Sequence, residues 1–120
     1  MPADALFVGW GEVARGREQL ALEVFQEAVA FWGGHQSDGR IESFEPVLLT
    51  PHGGDLNGFF LVKGPRASLN EILDSSEFVR LTGRVSSVVT GSGVIAAYVG
   101  DGVATVMGNF GELAQQLPQH

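Results

Sequence analysis

The segment Gly58-Phe59-Phe60-Leu61-Val62-Lys63-Gly64 decides the fold, because it is apolar on both sides when it is extended. Side chains alternate across a strand, so Phe59 and Leu61 point to one face of a sheet while Phe60 and Val62 point to the other. A strand of this kind needs cover on both faces of its sheet. The segment therefore predicts a central strand, covered by helices on one face and by a further surface on the other.

The chain before this segment first predicts a strand and a helix. Residues 5–10 form a short apolar run that suits a buried strand. Apolar residues then recur at helical spacing over residues 17–32, which predicts an amphipathic helix. Gly33 and Gly34 follow that pattern, and we expect them to end the helix.

A hairpin is predicted next. Residues 41–50 alternate as a second strand, and the turn cluster at residues 51–55 joins them to a third strand at residues 56–64. Pro46 has no amide hydrogen for a ladder bond, so it favours an edge position for the second strand.

Two helical segments are predicted after the hairpin. Ser68 and Glu71 have the spacing of a capping box, with serine at the N-cap and glutamate three residues later. A short helical turn at residues 77–81 is expected to stop at Gly83.

The last part of the chain predicts a strand and a terminal helix. Residues 85–99 indicate a long strand with a bend or bulge at Gly91-Ser92-Gly93. Residues 101–117 keep apolar side chains at helical spacing, but Gly108 and Gly111 each cost this helix up to about 1 kcal/mol relative to alanine. We therefore expect the terminal helix to need a surface to pack on.

The predicted order is β-α-β-β-α-β followed by a C-terminal helix, which is the split βαβ arrangement of the ferredoxin-like α+β fold. The chain length of 120 residues fits a single domain over residues 1–120. The apolar second face of the sheet is most simply covered by another copy of the chain in an isologous homodimer.

The segment 58–64, followed by residues 69–78 (Leu-Asn-Glu-Ile-Leu-Asp-Ser-Ser-Glu-Phe), resembles the dimeric α/β barrel superfamily. The resemblance implies an antiparallel sheet and a dimeric barrel. It does not imply one activity, because the superfamily includes cofactor-free monooxygenases, haem enzymes, cyclases, isomerases and ligand-sensing domains.

Composition excludes several classes of function. The chain has no cysteine, which excludes a disulfide scaffold and thiol catalysis and favours a cytoplasmic protein. Its formal net charge of -7 disfavours nucleic acid as a partner, and we expect no membrane association, because the most apolar stretch is shorter than a membrane span. The three histidines, His35, His52 and His120, lack metal-ligand spacing, and the glycine-rich segments lack a nucleotide-binding pattern, so neither a metal nor a cofactor is expected.

Candidate ligand-binding residues lie first in the loop after the first strand. Trp10, Arg15 and Arg17 bring an indole and two guanidinium groups to a strand end, where an arginine is able to hold an anionic group. The alternative is that Trp10 completes the core while Glu12 pairs with an arginine at the surface.

Candidate groups for proton transfer and for pocket walls lie further along the chain. Glu45 is a candidate general base, with a dimer-edge ion pair as the alternative, and His52 in the hairpin turn is a second candidate. Phe60 and Tyr98 are candidate walls of a ligand pocket.

Three functions stay open at this point. The first is a homodimeric protein that binds a small apolar or aromatic molecule between the sheet and the helices. The second is a cofactor-independent monooxygenase or a related small-molecule enzyme, and the third is a purely structural or interaction module. A connected pocket that contains a polar group separates the enzyme from the other two.

Overall fold

The computed structural model describes residues 4–117, so His120 lies outside the described residues. Four strands and four helices form along the described chain. They are β1 (Ala5–Trp10), α1 (Glu18–Ser37), β2 (Ser43–Leu48), β3 (Gly58–Lys63), α2 (Arg66–Asp74), α3 (Ser76–Ser86), β4 (Gly93–Ala97) and α4 (Asp101–Gln116).

The four strands make one antiparallel sheet in the order β2-β3-β1-β4. Val8 of β1 lies opposite Phe60 of β3 and opposite Val94 of β4, and Phe60 also lies opposite Pro46 of β2, so β1 and β3 are the two central strands. This order, with helices between β1 and β2 and between β3 and β4, confirms the ferredoxin-like α+β fold. β2 is an edge strand, as Pro46 predicts.

The two faces of the sheet differ in cover. On the helix-facing side, Leu6, Phe60 and Val62 are buried and belong to the main core. On the opposite side, which we call the open face, Phe7 stacks on Phe59 with ring centroids 4.9 Å apart, while Ile95 is 62% exposed. The open face is thus the apolar second face that the sequence of β3 predicts.

Helix α1 packs on the sheet through Val24, Ala28 and Trp32, which are spaced by four residues and are all buried. The prediction that Gly33 and Gly34 end this helix is wrong, because α1 continues to Ser37. A Cβ on Gly33 would lie 4.0 Å from the Phe44 ring, so the small residue lies beside the ring that packs there from β2.

The predicted capping box is also wrong, because α2 begins at Arg66 and places Ser68 inside the helix. The serine that caps a helix is Ser75, whose hydroxyl accepts a hydrogen bond from the Phe78 amide at 3.2 Å. Helix α3 then passes through Gly83 and ends at Ser86, so the helical segment is longer than residues 77–81.

The long strand predicted for residues 85–99 is shorter in the structure, where β4 covers only Gly93–Ala97. Val85 belongs to α3 instead. Val88 is 1% exposed in the connection that follows and belongs to the buried apolar residues of the protein. Val85 thus packs against the core from a helix, and the segment after it makes only an isolated antiparallel bridge, between Val89 and Val13.

Candidate functional site

A cavity of about 630 Å³ lies between the helix-facing side of the sheet and helices α1 and α3. Its walls are mainly aliphatic and aromatic. The strands supply Val8, Trp10, Phe60 and Val94, α1 supplies Val24, Phe25, Ala28 and Trp32, and α3 with its following residues supplies Phe78, Leu81, Val85, Val88 and Val89.

Three aromatic rings make a continuous wall of this cavity. Trp10 meets Phe60 edge to face at a centroid distance of 5.2 Å and meets Phe25 in the same way at 6.0 Å. Phe25 and Phe60 are tilted against each other at 5.6 Å. Aromatic pairs favour such edge-to-face and tilted contacts, so the three rings form one packed wall.

The cavity runs from a buried end to an exposed end. Trp32 and Phe78 close the inner end, where Trp32 is 1% exposed and the two rings meet at 5.8 Å. Val13, Leu22 and Leu48 line the outer end and are all exposed. The cavity therefore opens between exposed apolar side chains and ends at buried aromatic rings.

Polar groups are few and lie towards the outside. Among the described lining residues, Glu18 is the one ionisable side chain, and it is exposed in the first turn of α1. Thr82 donates its hydroxyl to the Val79 carbonyl at 2.8 Å, so its donor is already used. Ser92 lies at an exposed position before β4. The cavity thus offers burial to an apolar molecule and polar contacts only at its rim.

One side of the rim is a pair of irregular segments joined by backbone hydrogen bonds. The Gly11 amide donates to the Thr90 carbonyl at 2.7 Å, and the Ala14 amide donates to the Val88 carbonyl at 2.7 Å. A Cβ on Gly11 would lie 2.8 Å from that Thr90 oxygen, so the close approach needs glycine at this position.

Trp10 and Phe60 are the two candidate residues that the structure brings together in this cavity. Arg17 lies outside it, where its Nη1 donates to the Ser87 carbonyl at 3.1 Å at the end of α3. Arg15 is exposed in the same loop. The role of the two arginines in holding an anionic group stays a prediction.

The other three candidates lie away from the cavity and apart from one another. Glu45 is exposed on β2, on the open face of the sheet opposite Leu61. His52 is exposed in the loop between β2 and β3, and Tyr98 follows β4 with 42% of its surface exposed. Their catalytic or binding roles stay predictions.

The contribution of α3 to the cavity is larger than the helical turn predicted for residues 77–81. Phe78, Leu81 and Val85 recur at spacings of three and four residues, which is the signal of a helix face. The prediction placed Phe78 and Leu81 in a helical turn that stops at Gly83 and placed Val85 in a strand, so these three residues were not assigned to one helix face. A longer helical window over residues 76–86 would have found these lining residues.

His35 is a buried histidine at the end of α1 and lies outside the cavity lining. Arg40 Nη1 is 3.1 Å from its Nδ1, and the Phe31 ring packs against it at a centroid distance of 4.7 Å. Burial, followed by the positive charge of Arg40, lowers the pKa of His35 below 6.5, against smaller opposing effects of Glu77 and Asp38. His35 therefore favours the neutral form, although a helix C-terminus by itself favours a positive charge.

A second, more polar depression of about 500 Å³ lies beside the rim, between the loop after β1 and the loop before β3. It shares Trp10 with the main cavity and carries the carboxylates of Glu12 and Asp55. Over residues 4–117, no group of three or more histidine, aspartate and glutamate side chains is arranged to hold a metal ion. None of the helices in the same range has the length and apolar character required to cross a membrane.

The sheet order and the cavity define a ferredoxin-like α+β protein with an internal apolar cavity. No protein-family model and no curated protein matches the sequence. Solved structures do match the fold. A dimeric protein of unknown function and ferredoxin-like fold from Bacteroides fragilis NCTC 9343 has a TM-score of 0.57 at 9% identity, and the match covers 79% of this chain and 95% of that chain.

A second similar structure is SnoaB, a cofactor-independent oxygenase from Streptomyces nogalater. Its TM-score is 0.51 at 20% identity, and the match covers 82% of this chain and 96% of that chain. At these identities the likeness concerns the fold. The two structures confirm the ferredoxin-like fold.

Proposed function

We propose that this protein binds a small apolar or aromatic molecule in the cavity between the sheet and helices α1 and α3. The observation that carries the proposal is the volume of about 630 Å³, enclosed almost entirely by apolar side chains. Binding sites for small molecules have volumes of roughly 300–1,000 Å³ and the same apolar character. A purely structural module has no need of such a space.

The binding energy follows from the walls. A ligand that buries about 300 Å² of apolar surface gains about 7 kcal/mol from transfer out of water. The cost of association reduces this gain, so we expect dissociation constants between micromolar and millimolar for simple aromatic probes.

Tryptophan fluorescence tests the proposal directly, because the two tryptophans of the chain, Trp10 and Trp32, both line the cavity. Titration with 1-aminoanthracene should quench their emission saturably by energy transfer. The variant Ala28→Leu extends a side chain into the cavity and should weaken binding at least about 10-fold. Ala30→Leu, on the exposed side of the same helix, is the matched control and should bind as the wild type does. Equal affinity of all three proteins would reject the cavity as the site.

A cofactor-independent oxygenase is the second candidate function. The fold shared with SnoaB and the aromatic wall of the cavity support it. The scarcity of acid–base groups weighs against it, because Glu18 is the one ionisable side chain among the described lining residues.

Oxygen uptake tests this second candidate. With anthrone as the probe, one O₂ is consumed while anthrone is converted into anthraquinone and water. Uptake above the uncatalysed rate that falls in Glu18→Gln would support the oxygenase. Oxygen uptake at the uncatalysed rate for both the wild type and Glu18→Gln would reject the oxygenase and leave the proposal of ligand binding unaffected.

We also propose that the protein is a homodimer in which the open faces of two sheets pack together. The Phe7–Phe59 stack and the exposed Ile95 support this, since a contiguous exposed apolar face marks an interaction surface. The cysteine-free composition supports a cytoplasmic location, and the net charge of -7 supports the absence of a nucleic-acid partner.

A further inference from the structure

Helix α4 leaves the body of the protein. Within residues 4–117 it packs on no other helix or strand, and Gly102 is its one buried residue. The Cα radius of gyration is 16.8 Å, whereas a compact domain of this length has about 14 Å. A helix that extends outwards accounts for the difference.

One side of this helix is nevertheless apolar. We define the α4 stripe as Val103, Val106, Met107, Phe110 and Leu113. Within it, residues 103, 106, 110 and 113 are spaced by three, four and three residues, the pattern by which a helix packs along a partner surface. Met107 is 60% exposed and Phe110 is 66% exposed.

Helix α4 is not expected to be stable in isolation. Isolated helices of about 15 residues are marginal in water, and Gly108 and Gly111 weaken this one further. Burial of the α4 stripe is the available source of stability. We therefore expect a further surface to cover the α4 stripe.

The direction of α4 is set at its first residues. Gly100 has φ 55° and ψ -128°, a conformation that is essentially restricted to glycine. The Tyr98 ring lies beside Gly102 and holds the start of the helix. Since β4 is an edge strand of the sheet, α4 leaves the body at that edge.

The area of the open face indicates which molecule covers the α4 stripe. Four strands about 4.8 Å apart and about 18 Å long give a footprint of roughly 350 Å². A stable interface buries about 800 Å² on each partner. Helix α4 is about 24 Å long and 10 Å wide, so its stripe adds about 240 Å², and the surface that receives the other α4 adds the same. The sum of about 830 Å² reaches the required area, whereas the sheet face alone does not.

We infer that the α4 stripe packs against a second copy of this chain, so that two protomers exchange their terminal helices. This inference rests on the proposed homodimer and adds to it a second contact area. The charge of α4 disfavours a membrane as the occupant. The helix carries Asp101 and Glu112 and no lysine or arginine, whereas helices that bind anionic lipid surfaces are basic.

Sedimentation velocity over a range of protein concentrations tests this exchange. The variant Met107→Glu/Phe110→Glu places two charges in the α4 stripe, and the control Thr105→Glu/Gln115→Glu places two charges on the opposite side of the same helix. We expect the first to raise the dimer dissociation constant at least about 100-fold and the control to leave it near the wild-type value. All four positions are exposed in the single protomer, so none of these changes disturbs its core.

A third variant, Ile95→Glu, tests the open face separately. If Ile95→Glu dissociates the dimer while the α4 variant does not, the sheet pairing stands and the helix exchange is overturned. The reverse result supports the exchange and overturns the sheet pairing. A monomeric wild-type protein overturns both, and none of these outcomes affects the binding of 1-aminoanthracene in the cavity.

Cross-linking gives a second readout that does not depend on affinity. The chain has no cysteine, so Phe110→Cys carries benzophenone maleimide at one position only. Illumination of a mixture of ¹⁵N-labelled and unlabelled protein should give cross-links between the two isotopic forms. Cross-links within one chain only would show that α4 folds back on its own sheet and would overturn the proposal, as would preferential labelling of added anionic vesicles.

Discussion

Replacing Ala28 by leucine extends a buried side chain of α1 into the cavity by three carbon atoms. Each newly buried methylene stabilises the folded state by about 0.8 kcal/mol, which gives at most about 2.4 kcal/mol. Loss of rotamer freedom reduces this gain by about 0.5–1 kcal/mol. We therefore expect Ala28→Leu to raise the free energy of unfolding by about 1.5 kcal/mol.

Calorimetry or circular dichroism checks this expectation. A chain of 120 residues has an unfolding entropy of about 0.25 kcal/mol per kelvin, so the melting temperature should rise by about 6 °C. Ala30→Leu, on the exposed side of α1, should change it by less than about 2 °C. A fall in melting temperature for Ala28→Leu would refute the reasoning, because overpacking of a filled core costs about 1–3 kcal/mol.

Three further changes probe single interactions. His35 has a pKa below 6.5 when folded, so the unfolded chain takes up its proton first and the wild type should lose stability as the pH falls through 6.5. Urea titrations from pH 7.5 to 5 should show a smaller loss for His35→Phe, and parallel profiles would contradict the assignment. Ser75→Ala removes the cap of α3 and should lower the free energy of unfolding by about 1 kcal/mol, which Ser75→Asp should largely restore. Gly58→Ala places a Cβ 2.5 Å from Trp10 Cζ2, so it should destabilise the protein and alter tryptophan emission, and unchanged spectra would exclude this contact.

Much of the fold could be predicted from local patterns of apolar residues. The alternation in residues 58–64 identified a strand that lies at the centre of the sheet, and the stripe of α1 identified the helix that covers it. Pro46 correctly placed β2 at an edge. These predictions succeeded because one face of each element is buried, and burial imposes its period on the sequence.

The errors arose where local preference and tertiary packing disagree. Glycine in a helix usually marks an end, yet Gly33 lies inside α1, next to the Phe44 ring. Valine favours strands, yet Val85 lies in α3 and Val88 is buried in the connection to β4. In both cases the residue packs against other parts of the chain, and local propensity carries no information on such packing.

The candidate site shows the same division. Trp10 and Phe60 were identified because large aromatic residues on strands next to a predicted core tend to line any space in it. The lining residues of α3 beyond residue 81 were not predicted, because the predicted helical turn is shorter than α3. The position of Tyr98 depends on where β4 ends, and a sequence pattern fixes the ends of elements least well.

Pro46 also limits how sheets of this protein are able to associate side by side. The Leu49 amide donates to Asn57 across the hairpin, and amides alternate in direction along a strand, so the nitrogen of Pro46 faces outwards at the free edge of β2. An incoming strand finds no donor there. Proline at an edge strand is one of the ways in which proteins discourage pairing with a further strand, so Pro46 protects the β2 edge of this sheet against side-by-side aggregation.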